Sequence, residues 1–360
     1  MFILNGYINI VKKDSSFSYT ISAMNDVRIK KSIHSYTDTA TFRIPASARL
    51  KLQKTNGDPV LPLLPMAISY PDIRIDTASQ FAEGDSVEIV LGYDDNLVTE
   101  FKGFISRVNF TRPCEIECEG YIWPLRNVDK LLTKSWTSTS LKEVLQYIID
   151  NTGNQDIIKL STDIPNTTFG PFRLAQNSGA EALDNLKKAG FTIYFIDDII
   201  YAGLEQVAQL KNSVVYSLGW NTIKDDELKY RSNLDVKTQV VVNFKDKNGK
   251  TQVKTFGNKN GVLKHLNLGR ELDMKVLEEK ARTWSRQFRH AGYEGRITGF
   301  LQPFALPGWK VTIQDDLYKE RSGSYLLVST EVSYSRSGGR RICEIGETLT
   351  VTGTVPDTWD

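Results

Sequence analysis

Between Gly84 and Cys118 the side chains alternate apolar and polar with a period of two, and the runs are cut by glycine and aspartate turns. Val87, Ile89 and Leu91 share one face of an extended run, after the turn chemistry of Gly84-Asp85 and before Asp94-Asp95-Asn96. The chain then returns as Phe101–Phe110, with Phe101, Gly103, Ile105 and Arg107 on one face and Phe104, Val108 and Phe110 on the other. Cys114, Ile116 and Cys118 next face one way while Glu115, Glu117 and Glu119 face the other. A helix would bring round an apolar residue every three or four positions, so this pattern demands strands. Similar alternation places Ala40, Phe42 and Ile44 opposite Thr39, Thr41 and Arg43, and Leu4, Ile8 and Ile10 opposite Asn5, Tyr7 and Asn9. Pro62, Pro65 and Pro71 bar the segment Leu61–Pro71 from a central strand. Short strands with Gly and Pro turns predict a small barrel or sandwich over residues 1–125.

Residues 126–205 follow a helical period instead. Ser140-Leu141-Lys142-Glu143 and Ser178-Gly179-Ala180-Glu181 both read as capping boxes, in which serine and glutamate satisfy opposite orphan amides. Each leads into an apolar stripe and ends at a glycine, Gly153 or Gly190. A hairpin follows, turning at Asp197-Asp198, so this stretch reads as an α/β module of two helices and a hairpin. Residues 206–352 return to strands, with a helical insertion near 256–295. Its helix, Glu271–His290, carries the stripe Leu277, Ala281, Trp284 and Phe288. Its charged face bears Arg282, Arg286 and Arg289 and reads first as solvated. Residues 353–360 form a polar tail. The fold class expected is mainly β with α/β insertions: two related small β-barrel domains, an α/β module and a long helix.

The two β regions echo each other. Gly84-Asp85-Ser86-Val87-Glu88-Ile89 compares with Gly308-Trp309-Lys310-Val311-Thr312-Ile313, and Gly103-Phe104-Ile105 with Gly323-Ser324-Tyr325. Two similar barrels in one chain suit a ring with twice as many barrels as chains.

Composition excludes several functions. The chain has 45 basic and 43 acidic residues, a balance of +2, without the excess that a dedicated nucleic-acid binder carries. With 40% hydrophobic residues it is too apolar for a disordered chain. The most apolar run, Phe191–Tyr201, is interrupted by Asp197-Asp198 and falls short of a membrane span. No signal peptide is expected at Met1–Val11, so synthesis in the cytoplasm is. Cys114, Cys118 and Cys343 are too few for a disulfide scaffold or zinc site, and the first two read as buried thiols. His34, His265 and His290 belong to no HExxH, and Gly249-Lys250-Thr251 lacks the first glycine of a phosphate loop, Phe244 standing in its place. The pairs Asp197-Asp198, Asp225-Asp226 and Asp315-Asp316 are adjacent and read as turns, not as facing acid–base carboxylates. No catalytic, cofactor or metal site is expected.

The order of these elements resembles the baseplate hub proteins of contractile phage tails, the late-control protein D group, and the hub region of type VI secretion spike proteins. The likeness is carried by Tyr36-Thr37-Asp38-Thr39-Ala40-Thr41-Phe42-Arg43-Ile44-Pro45, Leu91-Gly92-Tyr93-Asp94, Cys118-Glu119-Gly120-Tyr121-Ile122-Trp123, Ala182-Leu183-Asp184-Asn185-Leu186 and Pro307-Gly308-Trp309-Lys310-Val311. The resemblance implies a structural protein of the virion tail baseplate, not an enzyme. It implies a homotrimer whose two barrels per chain make a pseudo-sixfold ring, joining a hexameric tail tube protein to a trimeric central spike protein. The tape-measure protein is a further candidate partner, whereas sequence-specific nucleic acid, a cofactor and membrane insertion are not expected. The chain ends at Asp360, so a spike needle, lysozyme or effector would be a separate protein. Candidate interface residues are Arg336, Arg340 and Arg341 around a hairpin and Arg282, Arg286 and Arg289 on the helix. The alternative is a receptor- or carbohydrate-binding tail protein, for which the six tryptophans are too scattered to form one patch.

Overall fold

A computed structural model describes residues 3–13, 17–35, 37–45, 51–54, 80–165, 167–203, 209–224, 227–231, 237–245, 250–268, 274–286 and 292–351. Tyr36, the proline-rich loop Leu61–Pro71, Asp225-Asp226, the Asp246–Gly249 turn, Phe288, Arg289, His290 and the C-terminal tail lie outside the described residues.

The first unit contains β1 (Leu4–Val11), β2 (Phe17–Ile21), β3 (Asp26–Ser32), β4 (Thr39–Ile44), β5 (Lys51–Lys54), β6 (Ser86–Tyr93), β7 (Asn96–Asn109) and β8 (Cys114–Glu119). The middle unit contains α1 (Ile122–Arg126), β9 (Leu132–Trp136), β10 (Thr139–Ser140), α2 (Leu141–Asn151), β11 (Lys159–Leu160), β12 (Thr168–Phe169), β13 (Phe172–Asn177), α3 (Gly179–Lys188), β14 (Thr192–Ile196) and β15 (Ile199–Gly203). There follow β16 (Gln209–Ser217), β17 (Thr222–Lys224), β18 (Lys229–Arg231), β19 (Thr238–Lys245), β20 (Thr251–Gly257), β21 (Val262–Asn267), α4 (Met274–Arg286), β22 (Gly292–Gly299), β23 (Trp309–Gln314), β24 (Gly323–Ser335) and β25 (Gly338–Val351).

The two β regions are one sheet. Its ladder runs β5-β2-β1-β6-β7-β8-β4-β3-β24-β25-β22-β17, with β23 and β16 extending from β24 and β18 from β22. Sequence alternation predicted strands within each region but not the pairing that joins them. That pairing depends on the 13-residue length of β24, whose first part pairs with β23 and whose second part pairs with β3. The cores nevertheless stay apart. Ile8, Ile10, Phe42, Ile89, Phe101 and Ile116 centre one, and Tyr216, Ile297, Val311, Ile313, Tyr325 and Cys343 centre the other.

The helical unit is capped as the sequence directs, with one difference. Ser178 and Glu181 form the full reciprocal box. At α2, Ser140 Oγ accepts from the Glu143 amide at 3.2 Å, but the Glu143 carboxylate instead accepts from Thr139 Oγ1 at 2.9 Å and Trp136 Nε1 at 3.1 Å. A larger difference concerns the inserted segment. β19, β20 and β21 form their own three-stranded sheet, and α4 packs on it. Val240, Val242, Phe244, Leu277 and Ala281 join the same core as Leu145, Leu183 and Ile193 of the middle unit. The insertion thus starts by Thr238, and α4 turns its predicted stripe toward the helical unit instead of a barrel.

The echo between the β regions is structural. Gly84 and Gly308 both adopt left-handed backbone, at φ 89° and 87°, where a glycine carries no Cβ penalty. The Gly84 amide donates to the Ile105 carbonyl at 2.8 Å, and the Gly308 amide to the Leu327 carbonyl at 2.7 Å. Val87 pairs with Gly103 and Val311 with Tyr325, so the structural match is shifted by two residues from the sequence match of Gly103 with Gly323. Directly after Ile105 and Leu327, Ser106 and Val328 sit as extra residues opposite β8 and β25 respectively. This shared β-bulge also corrects the alternation, because the extra residue turns Arg107 off the face of Phe101 and Ile105 and into solvent.

Candidate assembly interface

The joint between the β units is an antiparallel ladder from Ser32 opposite Ser329 to Asp26 opposite Ser335. The Ile33 amide adds a bond to the Val328 carbonyl at 3.0 Å. Lys30 and Glu331 pair across it at 3.7 Å, both exposed enough that the ion pair adds little. Val332 of β24 and Leu301, which precedes β23, are buried in the first unit's core, so the second β unit supplies apolar surface to the first.

Two buried charge groups lie behind this ladder. Arg341, on the inward face of β25 with Cys343 and Ile345, has no exposed surface. Its Nη2 bonds Glu100 Oε1 at 2.5 Å and the Leu301 carbonyl at 3.0 Å, its Nε the same carbonyl at 3.1 Å, and its Nη1 the Ala305 carbonyl at 3.2 Å. Glu100 is itself an extra residue in β7, where the register steps from Ile89 opposite Phe101 to Val90 opposite Thr99. The bulge re-aims an acid into the joint. Burial pushes the Glu100 carboxyl up, and the Arg341 charge and hydrogen bond pull against it.

Lys31 occupies an inward position of β3, is 4% exposed, and reaches Asp197 Oδ1 at 2.9 Å and Asp38 Oδ2 at 3.9 Å. Asp197 lies at the β14–β15 turn with φ 50°, so this lysine ties the first unit to the middle one. Burial raises the Asp38 carboxyl to about 7, with the Lys31 charge lowering it and Asp197 raising it further. Lys187 of α3 adds a bond to the His34 carbonyl at 3.2 Å.

The candidate arginines separate. Arg336 is exposed in the β24–β25 turn, and Arg340 is half-buried, its guanidinium 5.7 Å from the centre of the Phe300 ring. Arg341 is the correction: it was expected at a surface, yet period two puts it on the inward face of its strand, where an acid of the same chain takes its charge. Arg282 is half-buried on α4 and its carbonyl accepts from Ser285 Oγ. Arg286 ends the helix, and Arg289 lies outside the described residues.

The residues singled out for chemistry have structural partners. Cys114, Cys118 and Cys343 are buried, and burial pushes the Cys118 thiol up. Asp198 pairs with Lys159 at 2.9 Å, and Asp315 accepts from Tyr293 and the amides of Leu317 and Tyr318. Among the described residues no group of three or more His, Cys, Asp or Glu is placed to hold a metal ion. No helix among them is long and apolar enough to cross a membrane. Trp220 is 79% exposed, whereas Trp136 is buried and Trp123 stacks on Phe104 at 5.6 Å. Sequence reasoning missed β3, Glu100 and Lys31. For the lysine a signal existed, since Val27, Ile29 and Lys31 alternate onto one face.

No protein-family model matches the chain, and no curated protein matches its sequence. Solved structures do match its fold. A tail protein from Neisseria meningitidis MC58 superposes with a TM-score of 0.61 at 13% identity, over 99% of this chain and 100% of that one. The 43 kDa tail protein of prophage MuSo2 from Shewanella oneidensis gives 0.55 at 13% identity, over 99% of each chain. An E. coli component of the type VI secretion system, described as similar to the phage T4 tail proteins gp27 and gp5, gives 0.55 at 8% identity, over 98% of this chain and 80% of that one. The chain thus shares its overall fold with phage tail proteins and with a type VI secretion component.

Proposed function

We propose that this chain is the structural hub of a contractile phage tail baseplate or a related injection machine. Three copies form a ring of six β lobes, which meets a hexameric tube on one face and a threefold spike on the other. The supporting observation is the internal duplication: two β units share a glycine turn, a bulge position and strand pairing, and are already joined edge to edge within one chain. A protein that matches sixfold to threefold symmetry needs repeated lobes that are similar but not identical, and it needs no catalytic centre. Its work is mechanical, and the buried Arg341–Glu100 pair and the half-buried Lys31–Asp197 pair fix how its units sit. The virion tail is its place, and the tube, spike and tape-measure proteins are its partners. Light scattering with low-resolution class averages of the purified chain tests this. A threefold particle with six lobes is expected; a monomer at tens of micromolar overturns the reading.

A further inference from the structure

The duplication gives each residue of the intrachain joint a counterpart. β24 uses one edge twice: Gly323–Leu326 pair with β23, and Ser329–Ser335 pair with β3. Its counterpart β7 uses that edge once. Residues up to Phe104 pair with β6, Ile105 closes on Gly84, and among the described residues Ser106–Asn109 have no strand on that side. The counterpart of β3 is the pair β17 and β18, which flank β22 as β3 flanks β4. Their other edge also carries no strand among the described residues.

We propose that the edge Ser106–Phe110 of one chain pairs with β17 and β18 of a second copy, repeating between chains the joint made within each chain. This rests on the hub reading above and specifies its subunit contact. The contact is heterologous, so it gives a ring, where its rotation closes, instead of a two-fold dimer. An open strand edge supplies the hydrogen bonds and cross-strand side chains supply the register.

The register follows from the bulge. Ile105 matches Leu327, so Arg107 matches Ser329, Asn109 matches Glu331 and Phe110 matches Val332. On the other strand Lys229 opposes Glu294 as Lys30 opposes Thr39. Asn109 therefore falls opposite Lys229 of the second copy, as Glu331 falls opposite Lys30. The strongest sign is Phe110. Val332 is 2% exposed because the first unit covers it, whereas its counterpart Phe110 is 73% exposed. The neighbouring Leu228, matching Ile29, lies half-buried against the second β core and offers Phe110 an apolar seat. Beyond Phe110 the hairpin turns back, so this ladder is shorter than the intrachain one.

Engineered cysteines test the pairing. Opposite residues of a non-hydrogen-bonded antiparallel pair have Cα atoms about 4.5 Å apart, within disulfide reach. The three native cysteines are buried and do not compete. The double variant Asn109→Cys/Lys229→Cys, oxidised in the full-length protein, should run on a non-reducing gel at two and three times the 40.7 kDa of the chain. Lys30→Cys/Glu331→Cys, the matching intrachain pair, should close without changing mass and confirms that the geometry permits the bond. Separately, Phe110→Asp should keep the parent melting temperature and raise the concentration needed for assembly by more than about tenfold. Assembly of the parent without the intermolecular cross-link, or assembly unchanged by Phe110→Asp, overturns the edge and leaves the hub reading standing. A parent that stays monomeric overturns both.

Discussion

Glu100→Ala removes the acid that balances a fully buried guanidinium. Removing one partner of a buried ion pair costs about 3–5 kcal/mol, because the remaining charge stays desolvated. Arg341 keeps the Leu301 and Ala305 carbonyls, which holds the loss toward the lower end. Unfolding entropy of about 2.1 cal/mol/K per residue gives, for 360 residues, about 0.75 kcal/mol per degree. The melting temperature should fall by about 4–7 °C if the chain unfolds as one cooperative body. Because the pair joins the two β units, a calorimetric scan should also broaden or split as their unfolding uncouples. The companion variant Glu100→Leu/Arg341→Met removes both charges. Apolar replacement of a buried pair is often neutral, but two carbonyls then lose a donor, each at the low end of about 1–3 kcal/mol because no charge is left unpaired. The double variant should be more stable than Glu100→Ala, and the cycle of single and double variants should show coupling. A Glu100→Ala shift under about 1 °C, or strictly additive singles, would refute the reasoning.

Asp38 gives a pH test. An unfolded aspartate ionises near ~3.9, while folded Asp38 keeps its proton to about 7. The native state therefore holds more protons within that window, and stability falls as pH rises through it. Asp38→Asn does not titrate, so relative to the parent it should gain about 2–3 kcal/mol between pH 5 and pH 8; a constant gap between their urea midpoints would refute the assignment. Alanine at Gly84 or Gly308 is forced into left-handed backbone at a cost of about 1–2 kcal/mol. Gly84→Ala should lose more than this backbone cost, since its Cβ would stand 2.7 Å from the Trp123 ring, and a loss under about 1 kcal/mol on denaturation would contradict this. Ser178→Ala should cost about 1 kcal/mol and Ser140→Ala less, since only Ser178 belongs to a reciprocal box; the order of their melting temperatures decides.

What the sequence made legible was local. Alternation placed β6, β7 and β8, and the buried thiols of Cys114 and Cys118 followed from it. Serine caps placed α2 and α3, and the glycine turns at Gly84 and Gly308 marked the repeat. The parts that escaped depend on single-residue insertions or distant partners. Nothing in composition marks Ser106 or Glu100 as an extra residue, because a bulge is a property of two strands together. Pairing β3 with β24 brings residues some three hundred positions apart into register, which no local period encodes. Arg341 was misplaced because arginine beside a glycine turn reads as exposed, although its own strand's period pointed inward. The sheet of β19–β21 and its host both escaped, β21 lying inside the stretch read as a helical insertion, and an apolar face does not say which core it joins.

The Arg341–Glu100 pair has a consequence for how a ring could grow. Its two halves are tethered by the chain, so they meet at a high effective concentration during folding, with no bimolecular encounter. Stripping water from two charges is then part of the folding free energy of a monomer. At the counterpart of Arg341 the first unit has Cys114, a thiol with no charge to desolvate. In the proposed ring the division suits stepwise growth: the desolvating joint is completed before copies meet, and the proposed contact left for association is short, open and built on one aromatic side chain.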